Sequence, residues 1–320
     1  MARIKFKDQT VIAENNETVL QSLLRSNIQV PYGCQQGVCQ SCLMRSLDNT
    51  PPSSSQTGLK ETQQKQNYFL PCICLPENDM TVALPNAEKT WLEAEVIEKK
   101  ALSINVILLK IKSKEPLTFF AGQFVNLRNN DVIRSYSIAN TPNLSHELAF
   151  HIRILPDGKF SRFVADDLEI GMPLSFSHAQ GSCHYLEGKS EQPLLLIGTG
   201  TGLAPLYGIL KDALLTHKHQ GEIHLFHGSR DESGLYLEEK LTALTQNYPN
   251  FHYTPCLSGE VNNEKYTKGR ANEIALKQFP KLKDWCVYLC GQPEMVLQTK
   301  RATYLLGASL KDIYIDAFSS

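Results

Sequence analysis

The sequence predicts a multidomain α+β and α/β chain of three successive modules, and three observations carry that prediction. Cys34, Cys39, Cys42 and Cys72 form a C-x4-C-x2-C…C array early in the chain. Near residue 87 the texture changes to long β-type runs, such as residues 104–111 and 146–155. From Pro193 onward strands alternate with amphipathic helices, the pattern of a parallel sheet with crossover helices. The expected modules are 1–86, 87–190 and 191–320, and 320 residues exceed what one ordinary hydrophobic core holds.

Composition narrows the classes. With 32 basic and 33 acidic side chains the net charge is −1, and the signs are interspersed, so a nucleic-acid partner is not expected. The longest apolar runs are strand-sized, which argues against a membrane span. Nine cysteines is an odd number and no charged-then-apolar leader opens the chain, so a reducing, cytoplasmic compartment is expected. No heptads, internal repeat or apolar stripe stand out, and a monomer is the default expectation.

In the first module residues 1–12 alternate in strand fashion, and residues 17–26 read as a short helix through Val19, Leu20, Leu23 and Leu24. Pro31 to Cys42 then place three thiols on one tight loop whose glycines allow close backbone approach to inorganic sulfide. Four thiolates at this spacing can hold a [2Fe–2S] cluster. A structural zinc site usually shows two C-x2-C pairs or a Cys/His mixture, whereas the first gap here is four residues and no histidine precedes His146. The fourth thiol lies within residues 68–76, where Cys72 is favoured and Cys74 is also within reach. Residues 49–58, rich in Pro and Ser, read as an exposed excursion. This module resembles a plant-type ferredoxin domain, with Cys72 in the Leu-x-Cys-x-x-x-Pro context of the bacterial forms. The resemblance implies a β-grasp fold.

The middle module carries Arg134-Ser135-Tyr136-Ser137, preceded by residues 120–125 (FAGQFV) and followed by Gly158-Lys159-Phe160-Ser161. In that order these elements resemble the six-stranded antiparallel flavin-binding β-barrel of the ferredoxin–NAD(P)H reductase superfamily. By that resemblance Arg134 binds a cofactor phosphate, Tyr136 lies against the isoalloxazine and Ser137 sits near flavin N5. Gly158 and Ser161 match the G-x-x-S element that approaches the pyrophosphate. An arginine fork suits phosphate oxygens and an aromatic ring offers a stacking face. The module order and Gly158–Ser161 imply FAD rather than FMN.

The third module opens with a buried strand running into Gly198-Thr199-Gly200-Thr201-Gly202 and then a helix through about Leu215. This turn presents a helix N-terminus and free amides to a pyrophosphate. It resembles the Rossmann-like nicotinamide domain of the same superfamily, whose second signature appears as Cys290-Gly291-Gln292-Pro293. By that resemblance Cys290 lies beside the nicotinamide and shapes hydride transfer. Phe318 covers the flavin face that nicotinamide must reach, and Asp316 polarises the site. A strand at 222–227 leads to Ser229, Arg230 and Asp231, expected near the adenosine ribose. Ser229 and Arg230 can hold a 2′-phosphate (NADPH), whereas Asp231 can accept from a free 2′-OH (NADH).

A nicotinamide gives up two electrons together and a [2Fe–2S] cluster takes one, so a group that splits the pair belongs between them. The domain order resembles the reductase components of bacterial multicomponent oxygenases, such as benzoate dioxygenase and toluene or phenol monooxygenase systems, and CDP-6-deoxyglucoseen reductase. It implies an NAD(P)H-dependent oxidoreductase, NADH favoured, that passes electrons to an iron-containing acceptor protein. The competing readings are a stand-alone flavin or ferric reductase and a redox sensor.

Overall fold

The computed structural model describes residues 2–37, 40–85, 91–130, 132–142, 146–261 and 263–318. The chain forms two compact units, Met1–Lys89 and Thr90–Ser320. The boundary expected between residues 86 and 87 lies outside the described residues. The segments expected as separate modules, 87–190 and 191–320, share the second unit.

The first unit contains β1 (Arg3–Phe6), β2 (Gln9–Ile12), α1 (Val19–Arg25), β3 (Met44–Ser46), α2 (Glu61–Lys65), β4 (Tyr68–Phe69) and β5 (Met80–Ala83). Its sheet runs β2-β1-β5-β3-β4, with β1 and β5 parallel and the other pairs antiparallel. The residues expected as one alternating run divide at a tight turn, where Lys7 takes a φ of 54°. Helix α1 begins where Thr18 Oγ1 accepts from the Gln21 amide and the Gln21 side chain accepts from the Thr18 amide. Its Leu20 and Leu23 join Ile4, Met44, Phe69 and Val82 in the core.

The stretch 49–58 corrects the sequence expectation. Its ends are exposed, but Ser55 and Gln56 are buried. Gln56 Nε2 donates to the Tyr68 carbonyl at 2.8 Å, and the Leu70 amide donates to the Ser55 carbonyl. Polar composition marked a loop; it did not reveal that this loop supplies hydrogen bonds to the strand leading into Cys72.

The second unit begins with β6 (Leu92–Ser103), β7 (Val106–Ser113), β8 (Phe124–Asn129), β9 (Val132–Ser137), β10 (Glu147–Arg153), α3 (Lys159–Asp166) and β11 (Pro173–Phe176). The six strands form an antiparallel sheet in the order β10-β7-β6-β11-β8-β9. Ile138, just beyond β9, bridges Phe150 of β10, so the two edge strands meet and the sheet curls into a barrel. Leu109, Ile111, Val125, Leu127, Phe150 and Phe160 fill its interior.

The rest comprises β12 (Leu194–Thr199), α4 (Leu203–Lys211), β13 (Ile223–Ser229), α5 (Glu238–Asn247), β14 (Phe251–Leu257), β15 (Thr267–Lys268), α6 (Ala271–Gln278), β16 (Cys286–Gly291), α7 (Pro293–Leu305) and β17 (Ile313–Ala317). All neighbours in the order β15-β14-β13-β12-β16-β17 are parallel. Strand β12 is buried from Leu194 through Ile197, as a strand covered on both faces must be. Regular α-helical bonding in α4 runs to Lys211 and Asp212–Thr216 continue it with wider π-type turns, so the helix expected through about Leu215 reaches Thr216. Strand order reverses at β12, so the carboxyl ends of β12 and β16 flank a crevice of the kind that receives ligands in open α/β sheets.

No helix among the described residues is long and apolar enough to cross a membrane. Helix α7 exposes Leu297, Tyr304 and Leu305, a helical-period apolar stripe that inspection of the sequence had not singled out.

Close packing at the β12–α4 turn gives a direct test. A Cβ at Gly202 would overlap the Cys290 carbonyl, whereas one at Gly188 meets nothing within 4 Å. Gly202→Ala is expected to cost about 1–3 kcal/mol through overpacking, with a correspondingly lower melting temperature by calorimetry. Gly188→Ala, at φ 85°, bears only the smaller backbone penalty.

Candidate functional site

In the first unit the loop after Val30 is shaped by left-handed residues: Gln35, Gly37 and Gln40 have φ of 55°, 75° and 57°. Glycine suits position 37, where φ is left-handed and a Cβ would sit 2.7 Å from Ile73 Cδ1, forcing that side chain to shift. Cys34 is exposed, and its sulfur receives the Gln36 amide at 3.4 Å. Cys42 and Cys72 are both buried, with sulfurs 3.4 Å apart. Cys39 lies outside the described residues. Cys74 is fully buried in the hydrophobic core, where burial pushes its thiol up to about 11.

This donor set fits a thiolate-held iron–sulfur cluster. Burial, together with the neighbouring Cys72, also raises the Cys42 thiol to about 11. A buried thiol of that kind stays protonated at neutral pH unless a cation takes the place of its proton.

The barrel offers a different surface. On β9, Ile133, Arg134 and Ser135 are exposed, Tyr136 is half-buried and Ser137 is buried. The Arg134 guanidinium donates to the Ile133 carbonyl, and Ser135 Oγ donates to Asn126 Oδ1 at 2.7 Å. The Tyr136 ring lies 5.5 Å from Phe160, and burial raises its phenol to about 12. Gly158 caps α3, Lys159 is exposed and Phe160 belongs to the barrel core. The Ser161 hydroxyl is engaged inside its own turn, donating to the Gly158 carbonyl and accepting from the Leu155 amide, each at 3.1 Å. The first-turn amides of α3, which have no partner within a helix, remain the groups that suit an anion. These amides and the exposed Arg134 guanidinium on β9 are groups that suit a flavin's phosphates.

At the end of the parallel sheet the glycines have distinct reasons. A Cβ on Gly198 would lie 2.8 Å from Leu206 Cδ1. Gly200 adopts φ 54°, and Gly291, at φ 124°, packs on Thr199. Thr199 Oγ1 accepts the Gln292 amide at 3.3 Å, linking the two turns, while Thr201 is half-buried. Ser229 is half-buried and Arg230 and Asp231 are exposed; Asp231 Oδ1 accepts from Ser233 Oγ at 2.6 Å.

The four residues expected at the reaction centre come together. Cys290 pairs in register with Asp316 across β16 and β17. Ser137 Oγ donates to Asp316 Oδ2 at 2.6 Å, although the two are 179 residues apart. The Phe318 amide donates to the Gly291 carbonyl at 2.8 Å. Burial raises the Asp316 carboxyl to about 6, against the Ser137 hydrogen bond, which lowers it. Burial and the adjacent Cys183 hold the Cys290 thiol well above its ordinary value, so it stays neutral.

Two residues here were not anticipated. Cys183 Sγ lies 3.9 Å from Cys290 Sγ. His227, fully buried at the end of β13, places Nε2 3.1 Å from the Gly200 carbonyl. Burial lowers its pKa to about 4, so the ring is neutral and Nε2 carries the donated proton. The sequence signal was available for His227, a histidine closing a predicted strand; none marks Cys183, whose neighbour is 107 positions away.

Fold and site together define an oxidoreductase with an iron–sulfur module, a flavin barrel and a nicotinamide sheet. The sequence matches three family descriptions: "2Fe-2S iron-sulfur cluster binding domain" over residues 3–77, "Oxidoreductase FAD-binding domain" over 93–185 and "Oxidoreductase NAD-binding domain" over 196–301. It is 30% identical to the ferredoxin–NAD(P)(+) reductase component of naphthalene 1,2-dioxygenase/salicylate 5-hydroxylase systems of Ralstonia sp, covering 96% of this chain and 94% of that one. Identity to the CDP-6-deoxy-L-threo-D-glycero-4-hexulose-3-dehydrase reductase of Yersinia pseudotuberculosis is 25%, over 96% of this chain and 94% of the relative. A crystal structure of an Amycolatopsis cytochrome P450 reductase superposes with a TM-score of 0.69 at 28% identity, covering 99% of each chain. The chain belongs to the three-domain ferredoxin–NAD(P)H reductase family, and it carries electrons from NAD(P)H by way of FAD and a [2Fe–2S] cluster.

The raised Asp316 carboxyl has a definite sign. An unfolded aspartate titrates near 3.9, so this group's contribution to stability is fully present below about pH 4 and is lost as pH rises through about 6. Turnover of NADH with ferricyanide is expected to show an ionisation near pH 6 that Asp316→Asn removes and Ser137→Ala moves upward. Superimposable pH profiles for all three proteins would contradict this assignment.

Proposed function

We propose that the chain is an NADH-dependent reductase that delivers single electrons to an iron-containing partner protein, an oxygenase component. The observation that carries the reading is the Ser137–Asp316 hydrogen bond, with Cys290 in register beside it. It brings the end of the flavin strand and the end of the nicotinamide sheet to one point. Bound FAD supplies the means to take a hydride's two electrons together and release them singly.

The protein's own residues then divide the work. Arg134 and the first turn of α3, with Gly158, hold the flavin's phosphates, while Ser135, Tyr136 and Ser137 line its ring. Gly198, Thr199, Gly200, Thr201 and Gly202 leave the start of α4 open to the nicotinamide cofactor's pyrophosphate. Cys290 and Gly291 would shape the nicotinamide pocket, and Phe318, tied to Gly291, would shield the flavin. Asp316 holds the Ser137 hydroxyl in one direction and would supply negative charge beside a bound nicotinamide. Cys34, Cys39, Cys42 and Cys72 hold the cluster.

NADH is favoured because the Asp231 carboxylate, fixed by Ser233, suits a free ribose 2′-OH and repels a phosphate. Ser229 and Arg230 are the groups through which NADPH would bind. An oxygenase acceptor is supported by the more similar relatives, among them the naphthalene dioxygenase and terephthalate 1,2-dioxygenase reductase components at 29–30% identity. The deoxysugar dehydrase reductases, at 25%, mark the alternative acceptor.

Cysteine variants test the electron path. Cys72→Ser is expected to lose the visible absorbance of the cluster and cytochrome c reduction while keeping NADH–ferricyanide turnover. Cys74→Ala keeps all three. Loss of the cluster from the Cys74 variant with retention in the Cys72 variant would exchange the two assignments, and cytochrome c reduction surviving without a cluster would leave a plain flavin reductase.

A further inference from the structure

A second group of ligand-type side chains lies at the other end of the parallel sheet, away from the glycine turn and Cys290. Glu222 immediately precedes β13, and His224 and His252 occupy paired positions on β13 and β14. Parallel register stacks the two imidazoles, with centroids 4.5 Å apart and planes 17° apart. Glu222 Oε2 lies 3.2 Å from His224 Nε2 and 2.9 Å from His252 Nε2. Among the described residues this is the one trio of His, Cys, Asp or Glu whose ligand atoms all fall within 4.8 Å of one another.

We infer that Glu222, His224 and His252 form a binding site for a divalent transition-metal ion of the zinc class. Two imidazoles and a carboxylate are the donors such ions take, at about 2.0–2.2 Å from the metal, which sets donors roughly 3.4 Å apart in a tetrahedral shell. The carboxylate–imidazole spacings of 3.2 and 2.9 Å approach that value, and the stacked rings turn about their side-chain torsions for both imidazole nitrogens to meet one ion. The His224 ring packs against Phe279 at 4.6 Å and Trp285 at 5.9 Å. The pair sits beside a surface concavity that Thr245, Pro249 and Gln278 also line, so water can reach the fourth coordination position. An ion here clips the start of β13 to the start of β14 and takes no part in hydride transfer.

Calorimetric titration of the cluster-loaded, oxidised full chain with Zn2+ tests this. One ion per chain is expected, with the cluster's visible absorbance unchanged. His252 is 46% exposed, so His252→Ala and His252→Gln should fold normally; each is expected to weaken Zn2+ binding at least about tenfold. Excess Zn2+ should raise the melting temperature of the wild type and not of these variants, because an ion that binds only the folded site stabilises it. Equal isotherms and equal melting shifts in wild type and variants would overturn the assignment, as would absence of binding to the wild type at submillimolar Zn2+ or bleaching of the cluster as zinc enters.

Discussion

The hydrogen bond from Ser137 Oγ to Asp316 Oδ2 is the constraint on which the reaction centre depends. It ties the last residue of β9 to β17, the edge strand of the parallel sheet. Because β17 is in register with β16, fixing Asp316 fixes Cys290 and Gly291 beside it. Cys290 in turn lies so close to Gly202 that only glycine fits there, so the glycine turn after β12 and the carboxyl end of β16 share one rigid frame. Beyond Asp316 the chain keeps its direction through the Phe318 amide and the Gly291 carbonyl. A buried, charge-assisted hydrogen bond of this kind costs more to break than it contributes when made, since its loss strands a carboxylate away from water.

Burial also decides which groups titrate. The Cys290 thiol and the Tyr136 phenol are pushed up, and His227 is pushed down, all chiefly by desolvation. Those three keep one protonation state through the neutral range. Asp316, raised only to about 6, is the group left close to it. The division suits the chemistry: hydride transfer needs no proton donor at the nicotinamide, and neutral Cys290 and His227 add no charge that competes with the carboxylate. His227 contributes through one donated proton to the Gly200 carbonyl, which holds a residue already at positive φ.

Much of this was legible in the sequence. The Cys34–Cys42 spacing, the Arg134–Ser137 tetrapeptide and the glycine turn at 198–202 are local features, and the resemblance they supported placed Ser137, Cys290, Asp316 and Phe318 near one another. What stayed hidden was set by topology. His227 meets Gly200 because β13 lies beside β12, and Cys183 meets Cys290 across 107 positions of chain. The partial burial of 49–58 was concealed because backbone groups of β4 and the residues after it, not apolar side chains, hold that loop down. The widening of α4 into π-type turns after Lys211 was hidden because Ala213 and Leu214 remain buried there, so the apolar period continues unbroken.

Anaerobic titration of the purified protein with NADH, following the visible spectrum, tests the central claim most directly. Substoichiometric NADH is expected to bleach the flavin and iron–sulfur bands together, and extraction should then release FAD. Bleaching of the flavin band alone, or reduction by NADPH but not NADH, would contradict the account.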